Sequence, residues 1–473
     1  MNLNEKIPIL LVAQSYLILG GCFAPKVDKK PALQLPQPSS WESTVSTPDK
    51  NHSSSGWAYK LGGEQLNSLI EKAISGNPSL LAMSERLIAQ GEQATILGSK
   101  ILPTAQADVT GSRSKRNLIG FNLPNGSTSF TSNSFTSGLN ISWELDLWGK
   151  LADARDSAEK SFRASEMELQ GAQISLAGQV AKGWYEVIEG SQQVLLAQKS
   201  AVSLAQNQNF VEERFRKGLA NALDQKLAQT GTAHAKAKVL ALQGQLDASK
   251  RRLNILLGKY PSVLLDQNLS VPADLTSLEV SQSSPSILLA NRPDLLAAEQ
   301  KAQASGLDLA VARKNFFPSL SLTGGPGSRS DEFENLLDNN FRTWGINGSL
   351  SQPLFNGGRL RAAHRQAKAL QAAAWADYGS HALNAFVEVE NVLAAEIRLA
   401  EQEDLMELAA QSAEDASKLS WERYQRGVEA IFNALENQRR AFDARSQVYL
   451  IRKQRIHNRI DLHLAQGQFP LSE

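Results

Sequence analysis

The sequence has little of what enzymes and helical membrane proteins need. Among its 473 residues there is one cysteine, 7% are aromatic, and the formal net charge is +1. A charge so close to zero argues against nucleic acid as a partner, because nucleic-acid-binding domains carry a basic surface. After residue 21, no apolar run reaches the roughly 18 residues that a membrane-spanning helix requires.

No catalytic or metal-binding arrangement of residues can be recognised either. The six histidines are scattered along the chain, at positions 52, 234, 364, 381, 457 and 463. The glycine-rich run at 324–327 is not a phosphate-binding loop, and we expect it to be a turn after a strand. Most carboxylates alternate with Lys and Arg, as on solvated helix faces. We therefore predict no enzyme activity, no catalytic residue, no metal site and no cofactor other than a covalent lipid.

The lipid prediction rests on the single cysteine. Residues 7–19 are mostly apolar, follow Lys6, and end in Leu19-Gly20-Gly21-Cys22, which resembles a bacterial lipoprotein signal. This pattern predicts that residues 1–21 are removed and that Cys22 carries the lipid anchor. The alternative is an ordinary signal peptide with a chance cysteine. Phe23 follows the cysteine, which in lipoproteins of enterobacterial type implies release to the outer membrane.

The sequence that follows the predicted signal contains an internal repeat. Pro78 and Pro293, 215 positions apart, each open a helical stretch, and three glycine pairs lie 209 positions apart: Gly149 and Gly358, Gly218 and Gly427, Gly258 and Gly467. We therefore predict two structural repeats, at 64–258 and 292–467. An extended segment (22–63) precedes them, a Pro- and Ser-containing connector (259–291) joins them, and a short tail (468–473) follows.

Each repeat is predicted to hold one helix, two strands and two very long helices. The long helices are placed at 149–217 and 222–257 in the first copy, and at 358–426 and 430–466 in the second. Some 65 residues at 1.5 Å each give a helix of roughly 100 Å. Apolar residues recur every seven positions, which favours side-by-side helix packing; the two rows are Val392, Leu399, Met406 and Ala413, and Leu435, Phe442, Tyr449 and Ile456. Taken alone, these helices would also suit a coiled-coil rod.

The strands between the helices alternate strictly. In the first copy, Leu139, Ile141, Trp143 and Leu145 alternate with Asn140, Ser142 and Glu144, and in the second, Trp344, Ile346 and Leu350 alternate with Asn347 and Ser349. Such alternation is typical of membrane barrel strands, although a soluble sheet with one buried face gives the same pattern. Four strands cannot close a barrel, and a bilayer does not tolerate open sheet edges. Several chains must then pool their strands.

Three motifs make the chain resemble the lipoprotein branch of the TolC-like outer membrane factors (NodT/OprM type). They lie at 292–320, beginning Arg-Pro-Asp-Leu, at 353–359, and from Tyr424-x-x-Gly427 to Arg439. The resemblance implies a mainly α fold with a membrane β-barrel portion. It also implies a homotrimer with a 12-strand barrel in outer-membrane lipid and an α-helical barrel extending into the periplasm.

The resemblance also implies a function and partners. Such proteins are passive exit channels of tripartite efflux systems, joined to a periplasmic adaptor (membrane fusion protein) and an inner-membrane pump, here expected to be of the RND type. The first alternative is the exit duct of a type I protein secretion system. The second is a periplasmic coiled-coil structural or adaptor protein without a pore.

The resemblance also implies which residues lie at the periplasmic mouth of the channel. In related channels, the positions that match Glu436, Arg439, Tyr424 and Phe432 line the closed periplasmic aperture, and Asp224 is a weaker candidate in the first copy. Glu436 and Arg439 are three positions apart and share a helix face. They are therefore expected to form part of an acidic ring and an ionic latch. The alternative is an ordinary surface ion pair.

Overall fold

The computed structural model describes residues 40–42, 56–117, 129–264 and 285–471. Cys22 lies outside the described residues, so the lipid prediction remains a prediction. The chain divides into two compact units: one contains Ile88–Ser165 and Ala298–Tyr378, and the other contains Gln34–Leu87, Glu166–Ala297 and Gly379–Glu473. Within the described ranges, no helix combines the length and the apolar character needed to cross a membrane.

The strands and the long helices follow one another in the predicted order, but each copy has two helices before its strands where one was predicted. The first copy contains α1 (Trp57–Gly76), α2 (Pro78–Ser99), β1 (Thr104–Asn117), β2 (Ser129–Leu145), α3 (Lys150–Arg216) and α4 (Ala222–Leu256). The second contains α5 (Pro285–Asn291), α6 (Pro293–Lys314), β3 (Ser319–Ser330), β4 (Arg342–Ser351), α7 (Arg359–Gln425) and α8 (Ile431–Ala465). The four long helices begin and end within one residue of the predicted positions.

The internal repeat is confirmed by lengths and by backbone conformation. Helices α3 and α7 each have 67 residues, and α4 and α8 each have 35. All three glycine pairs adopt positive φ, for example 72° at Gly218 and 79° at Gly427. Gly218, Gly258, Gly427 and Gly467 follow long helices, where a left-handed residue allows the chain to turn while the last carbonyls remain hydrogen-bonded, and glycine adopts this conformation without steric cost.

Two segments that were expected to be irregular are partly helical. Helix α1 begins at Trp57, inside the segment 22–63, because Trp57, Ala58 and Leu61 are buried and give its first turns an apolar face. Helix α5 occupies the end of the connector 259–291, where Leu288 is buried in the core of the second copy. Burial of apolar side chains thus extends helix into sequence whose composition favours a loop.

The four strands form one antiparallel sheet in the order β1-β2-β3-β4. The register aligns apolar with apolar residues: Trp143 pairs with Leu322, and Leu145 pairs with Leu320, which in turn pairs with Leu350. The intervening positions are polar, and Ser142 pairs with Thr323, which pairs with Asn347. The predicted alternation therefore gives a sheet with one apolar and one polar face. On the apolar face, Trp344 and Ile346 are about four-fifths exposed in the single chain, at 81% and 80%.

The glycine-rich run at 324–327 is not a turn, and that prediction is wrong. It lies inside β3, paired with β2 on one side and β4 on the other. A Cβ atom at Gly324 would lie 2.4 Å from the carbonyl oxygen of Gly345. Glycine is needed here for close approach between neighbouring backbones, which a turn prediction from composition overlooks.

Candidate functional site at the helix tips

In each copy one short turn joins the two long helices, and the two turns have the same hydrogen bonds. At the first, Gly218 N–H donates to Phe215 O and Leu219 N–H to Arg214 O; at the second, Gly427 N–H donates to Tyr424 O and Val428 N–H to Arg423 O. These bonds satisfy the last helical carbonyls in the same way in both copies. We call the two turns the tip turns.

A small apolar cluster lies beneath the tip turns and holds Tyr424. Val211 from α3, Ala228 from α4, and Ile431 and Ala434 from α8 are its other buried members. The ring of Tyr424 lies 5.4 Å from that of Trp421 and 6.4 Å from that of Phe210. Burial raises the pKa of the Tyr424 phenol. Its hydroxyl is buried and has no hydrogen-bond partner among the described residues.

Arg214 connects the two tip turns. Its Nη2 donates to Leu219 O at 3.4 Å in the first turn, and its Nη1 donates to Gln425 O at 3.1 Å, two residues before Gly427. The guanidinium carbon lies 5.4 Å from the centre of the Tyr424 ring, within the range of a cation–π interaction. A single side chain thus binds backbone from both copies of the repeat. The sequence analysis did not identify Arg214.

Glu436 and Arg439 share a face of α8 and form a bidentate ion pair. Arg439 donates from Nη2 to Oε1 at 2.8 Å and from Nε to Oε2 at 3.0 Å, and Arg440 Nε also donates to Oε1 at 3.0 Å. Hydrogen bonds from Arg439 and then Arg440 lower the pKa of the Glu436 carboxyl to about 2. Arg439 also binds Asp443 at 2.7 Å. The cluster therefore contains two carboxylates and two guanidinium groups, and its charges balance.

The other two candidate residues occupy different surroundings. Phe432 lies one turn before Glu436 on α8 and is 60% exposed. Asp224 belongs to the N-terminal capping box of α4: its backbone N–H donates to Asn221 Oδ1 at 2.9 Å, and its carboxylate accepts from Asn221 N–H at 3.3 Å. The structure thus places Phe432 beside the Glu436 pair, Tyr424 in the cluster beneath the turns, and Asp224 at a helix start.

A ladder of ion pairs between α7 and α8 was missed by the sequence analysis. Its carboxylates are Glu396, Glu403, Glu407 and Glu414, and its guanidinium groups are Arg445, Arg452, Arg455 and Arg459, at distances of 2.6 to 3.1 Å. The side chains of Glu396 and Arg459 are only 5% and 7% exposed. The expectation of solvated charged faces is therefore wrong for this helix pair. The available signal was the seven-residue spacing of Arg445, Arg452 and Arg459.

With the fold and the tips described, comparison with known proteins identifies the class. The family model for outer membrane efflux proteins matches residues 69–259 and 284–468, and the chain belongs to this family. The two matched segments correspond to the two copies of the repeat. This result confirms the resemblance to the outer membrane factors that the motifs indicated. Family members are channels located in the outer membrane, rather than enzymes.

Individual relatives match nearly the whole chain. The pyoverdine export outer membrane protein OpmQ of Pseudomonas putida is 29% identical over 439 residues, covering 92% of this chain and 93% of the relative. The cation efflux system protein CusC of Escherichia coli is 27% identical over 454 residues, covering 95% and 97%. The solved structure of the outer-membrane channel OprN is 25% identical, has a TM-score of 0.84, and covers 93% of this chain and 98% of that one.

Proposed function

We propose that this chain is the outer-membrane exit channel of a tripartite efflux system. The observation that carries the proposal is the four-stranded sheet with one continuous apolar face, in a chain that belongs to the outer membrane efflux protein family. An isolated sheet of four strands has two unpaired edges, at β1 and β4. Unpaired backbone groups cost several kcal/mol each in hydrocarbon, so the strands must join those of other copies.

Three copies would supply the twelve strands that the resemblance implies. In this trimer the strands close an outer-membrane barrel, and the long helices form the periplasmic part of the duct. The channel itself supplies no energy. An inner-membrane pump of the RND type drives the cargo, and a periplasmic adaptor contacts the helix tips. The family description names efflux, which favours this function over a rod without a pore, while a type I secretion duct remains the second candidate within the same class.

We further propose that Cys22 carries a lipid that anchors the protein to the outer membrane. The lipoprotein signal before Cys22 supports this, and two or more acyl chains give stable anchoring. The residues proposed to close the periplasmic mouth are Glu436 and Arg439, with Phe432 and Tyr424 beside them. Asp224 has the weaker claim, because its carboxylate already caps α4.

The test is reconstitution of the purified chain in planar lipid bilayers. We expect discrete conductance steps and a trimeric mass by light scattering in detergent. The variant Ile346→Lys, which places a charge on the apolar face of the sheet, serves as the control and should insert poorly. A well-folded protein that gives no steps, or that stays in solution without detergent, would exclude the channel function.

A further inference from the structure

A groove opens on the surface beside the mouth residues. It lies between α3, α4 and α8, has a volume of about 590 Å³, and all of its walls belong to the same compact unit. Its apolar lining comes from all three helices: Leu204 on α3, Leu227 on α4, and Leu435 and Phe442 on α8. Small-molecule sites usually occupy roughly 300 to 1,000 Å³ and are largely apolar with a few polar groups. We call it the aperture groove.

A glycine helps to keep the groove open. Gly231 is one of its lining residues, and an added Cβ there would be 3.8 Å from a Leu204 methyl and 4.0 Å from a Leu435 methyl. These are ordinary contact distances, so a larger side chain at this position would extend into the groove without a backbone clash. Phe432 at the rim leaves most of its ring in solvent. The three helices therefore present apolar surface to water instead of closing over it.

The charges around the rim are unequal in their pairing. On the α8 side, Arg439 binds both Glu436 and Asp443, and Arg440 also binds Glu436, so two positive and two negative charges balance within the helix. On the α4 side, Lys238 and His234 line the groove, and neither has an ion-pair partner among the described residues. An ammonium group without a partner beside an apolar wall attracts an acid that carries an apolar body.

We propose that the aperture groove binds an anionic amphipathic organic molecule. Its apolar body packs against Leu204, Leu227, Leu435 and Phe442, and its carboxylate or sulfonate pairs with Lys238. This binding site does not depend on the channel function, because it can be measured on purified protein that conducts nothing. A molecule bound there touches the same helix face as the Glu436 pair, so it also lies beside the proposed mouth.

The experiment follows the reactivity of a thiol inside the groove. Thr230→Cys places a thiol in the lining, and Ala237→Cys places a matched thiol on an exposed part of α4 that does not line it. Each full-length variant is purified into lipid nanodiscs and labelled with a water-soluble maleimide, with the unsubstituted protein as the blank. Cholate, a steroid carboxylate, is the probe, and its uncharged methyl ester is the comparison.

We expect cholate to slow the labelling of Thr230→Cys saturably, by about tenfold, and to leave Ala237→Cys unchanged. The methyl ester should protect about tenfold less well at equal concentration, the effect of losing one ion pair of about 1.4 kcal/mol. Adding Lys238→Gln should remove the preference for cholate, whereas Lys236→Gln on the same helix should keep it. Gly231→Leu should fill the groove and abolish protection, whereas Gly244→Leu, which meets open space, should preserve it.

Three results would overturn the proposal. The first is equal protection of both thiols, which reports partition into lipid and not a site. The second is stronger protection by the cation dodecyltrimethylammonium, which would mean that the carboxylates of Glu436 and Asp443 set the preference. The third is a Thr230→Cys thiol that does not react without ligand while Ala237→Cys does, because a second copy of the chain then covers the groove.

Discussion

The guanidinium of Arg214 joins backbone atoms of both tip turns and lies over the Tyr424 ring. Its neighbour Arg216, two residues later, extends into solvent and pairs only with Glu212 on its own helix among the described residues. Nothing in the local sequence separates these two arginines, since both belong to one basic stretch before Gly218. The difference arises from the second copy of the repeat, which folds against one and not the other.

Replacing Arg214 should loosen the tips. Arg214→Ala removes two hydrogen bonds and a cation–π contact, together worth about 1–3 kcal/mol. Hydrogen exchange at residues 218–222 and 427–431 should then become about ten- to a hundredfold faster. Arg216→Ala, the control, removes only an exposed pair and should leave exchange unchanged. Equal rates in both variants would show that the apolar cluster alone holds the turns together.

If the pair of Glu436 and Arg439 closes the channel mouth, we expect the mouth to stay closed in mild acid. Because hydrogen bonds from Arg439 and Arg440 lower the pKa of the Glu436 carboxyl from its ordinary value of 4.5 to about 2, the pair is complete above pH 4.5 and is lost only as the pH falls through about 2. Closed-state conductance in planar bilayers should therefore be the same at pH 7 and pH 5. The double variant Glu436→Ala, Arg439→Ala should conduct more at both values, with normal trimer yield. If it conducts like the unsubstituted protein, these residues do not close the mouth.

Among the elements, the strands were the most predictable and the helix faces the least. Alternation of residue type assigns each strand residue to a face whatever its partner, and the observed register agrees with it. On α7 and α8 the seven-residue period was predicted correctly, but the fully buried row contains Glu396 and Glu403. From one helix alone, a charged residue is predicted to face solvent. Whether it is buried depends on the charges of the helix that packs against it, which the sequence of the first helix does not show.

The two faces of β4 should respond differently to charge. Ile346→Lys places an ammonium on the apolar face and should cost roughly 2–4 kcal/mol near the middle of a bilayer, whereas Asn347→Lys on the polar face should cost far less. The yield of trimer extracted from membranes measures the difference. The reverse order would mean that the polar face meets lipid.

The ladder between α7 and α8 should be sensitive to the loss of one partner. Glu396→Leu removes the carboxylate that Arg459 binds and one of the two that Arg455 binds, which should destabilise the helix pair by about 3–5 kcal/mol. Adding Arg459→Leu should recover much of this loss, since two apolar side chains then face each other where a buried guanidinium had lost its bond to Glu396. Urea denaturation measures both changes in the free energy of unfolding, followed on the unit that contains Gly379–Glu473. Glu401→Ala, at an exposed position, is the neutral control. No recovery in the double variant would show that packing, not charge, is limiting.

At the scale of the whole molecule, the two copies of the repeat were recognisable from the spacing of prolines and glycines alone. Prolines at the first position of α2 and α6 and glycines after the long helices mark the same events in each copy. The hydrogen bonds of Arg214 to both tip turns could not be predicted this way, because they depend on how the two copies pack against each other. The lipid anchor proposed at Cys22 rests on the sequence pattern before it.

Removal of the cysteine tests the anchor. Cys22→Ser should abolish incorporation of a radioactive fatty acid and leave an unprocessed precursor, because the lipoprotein peptidase acts on the lipidated cysteine. Trimers should still form, since the strands insert by themselves. Equal labelling of the variant and the unsubstituted protein would rule out Cys22 as the lipidated residue.

The ladder has a consequence for how the two copies can change over evolutionary time. At the aligned positions of the first copy, Glu396 corresponds to Val187, Glu403 to Val194 and Arg455 to Leu246. The valines are buried, and an apolar row can drift by single exchanges of similar volume. The charged row is less free to change, because loss of Glu396 removes the carboxylate that the buried Arg459 binds. Glu396 and Arg459 are therefore expected to co-vary among relatives, while Val187 and Val194 vary independently, so the two copies of the repeat are not interchangeable.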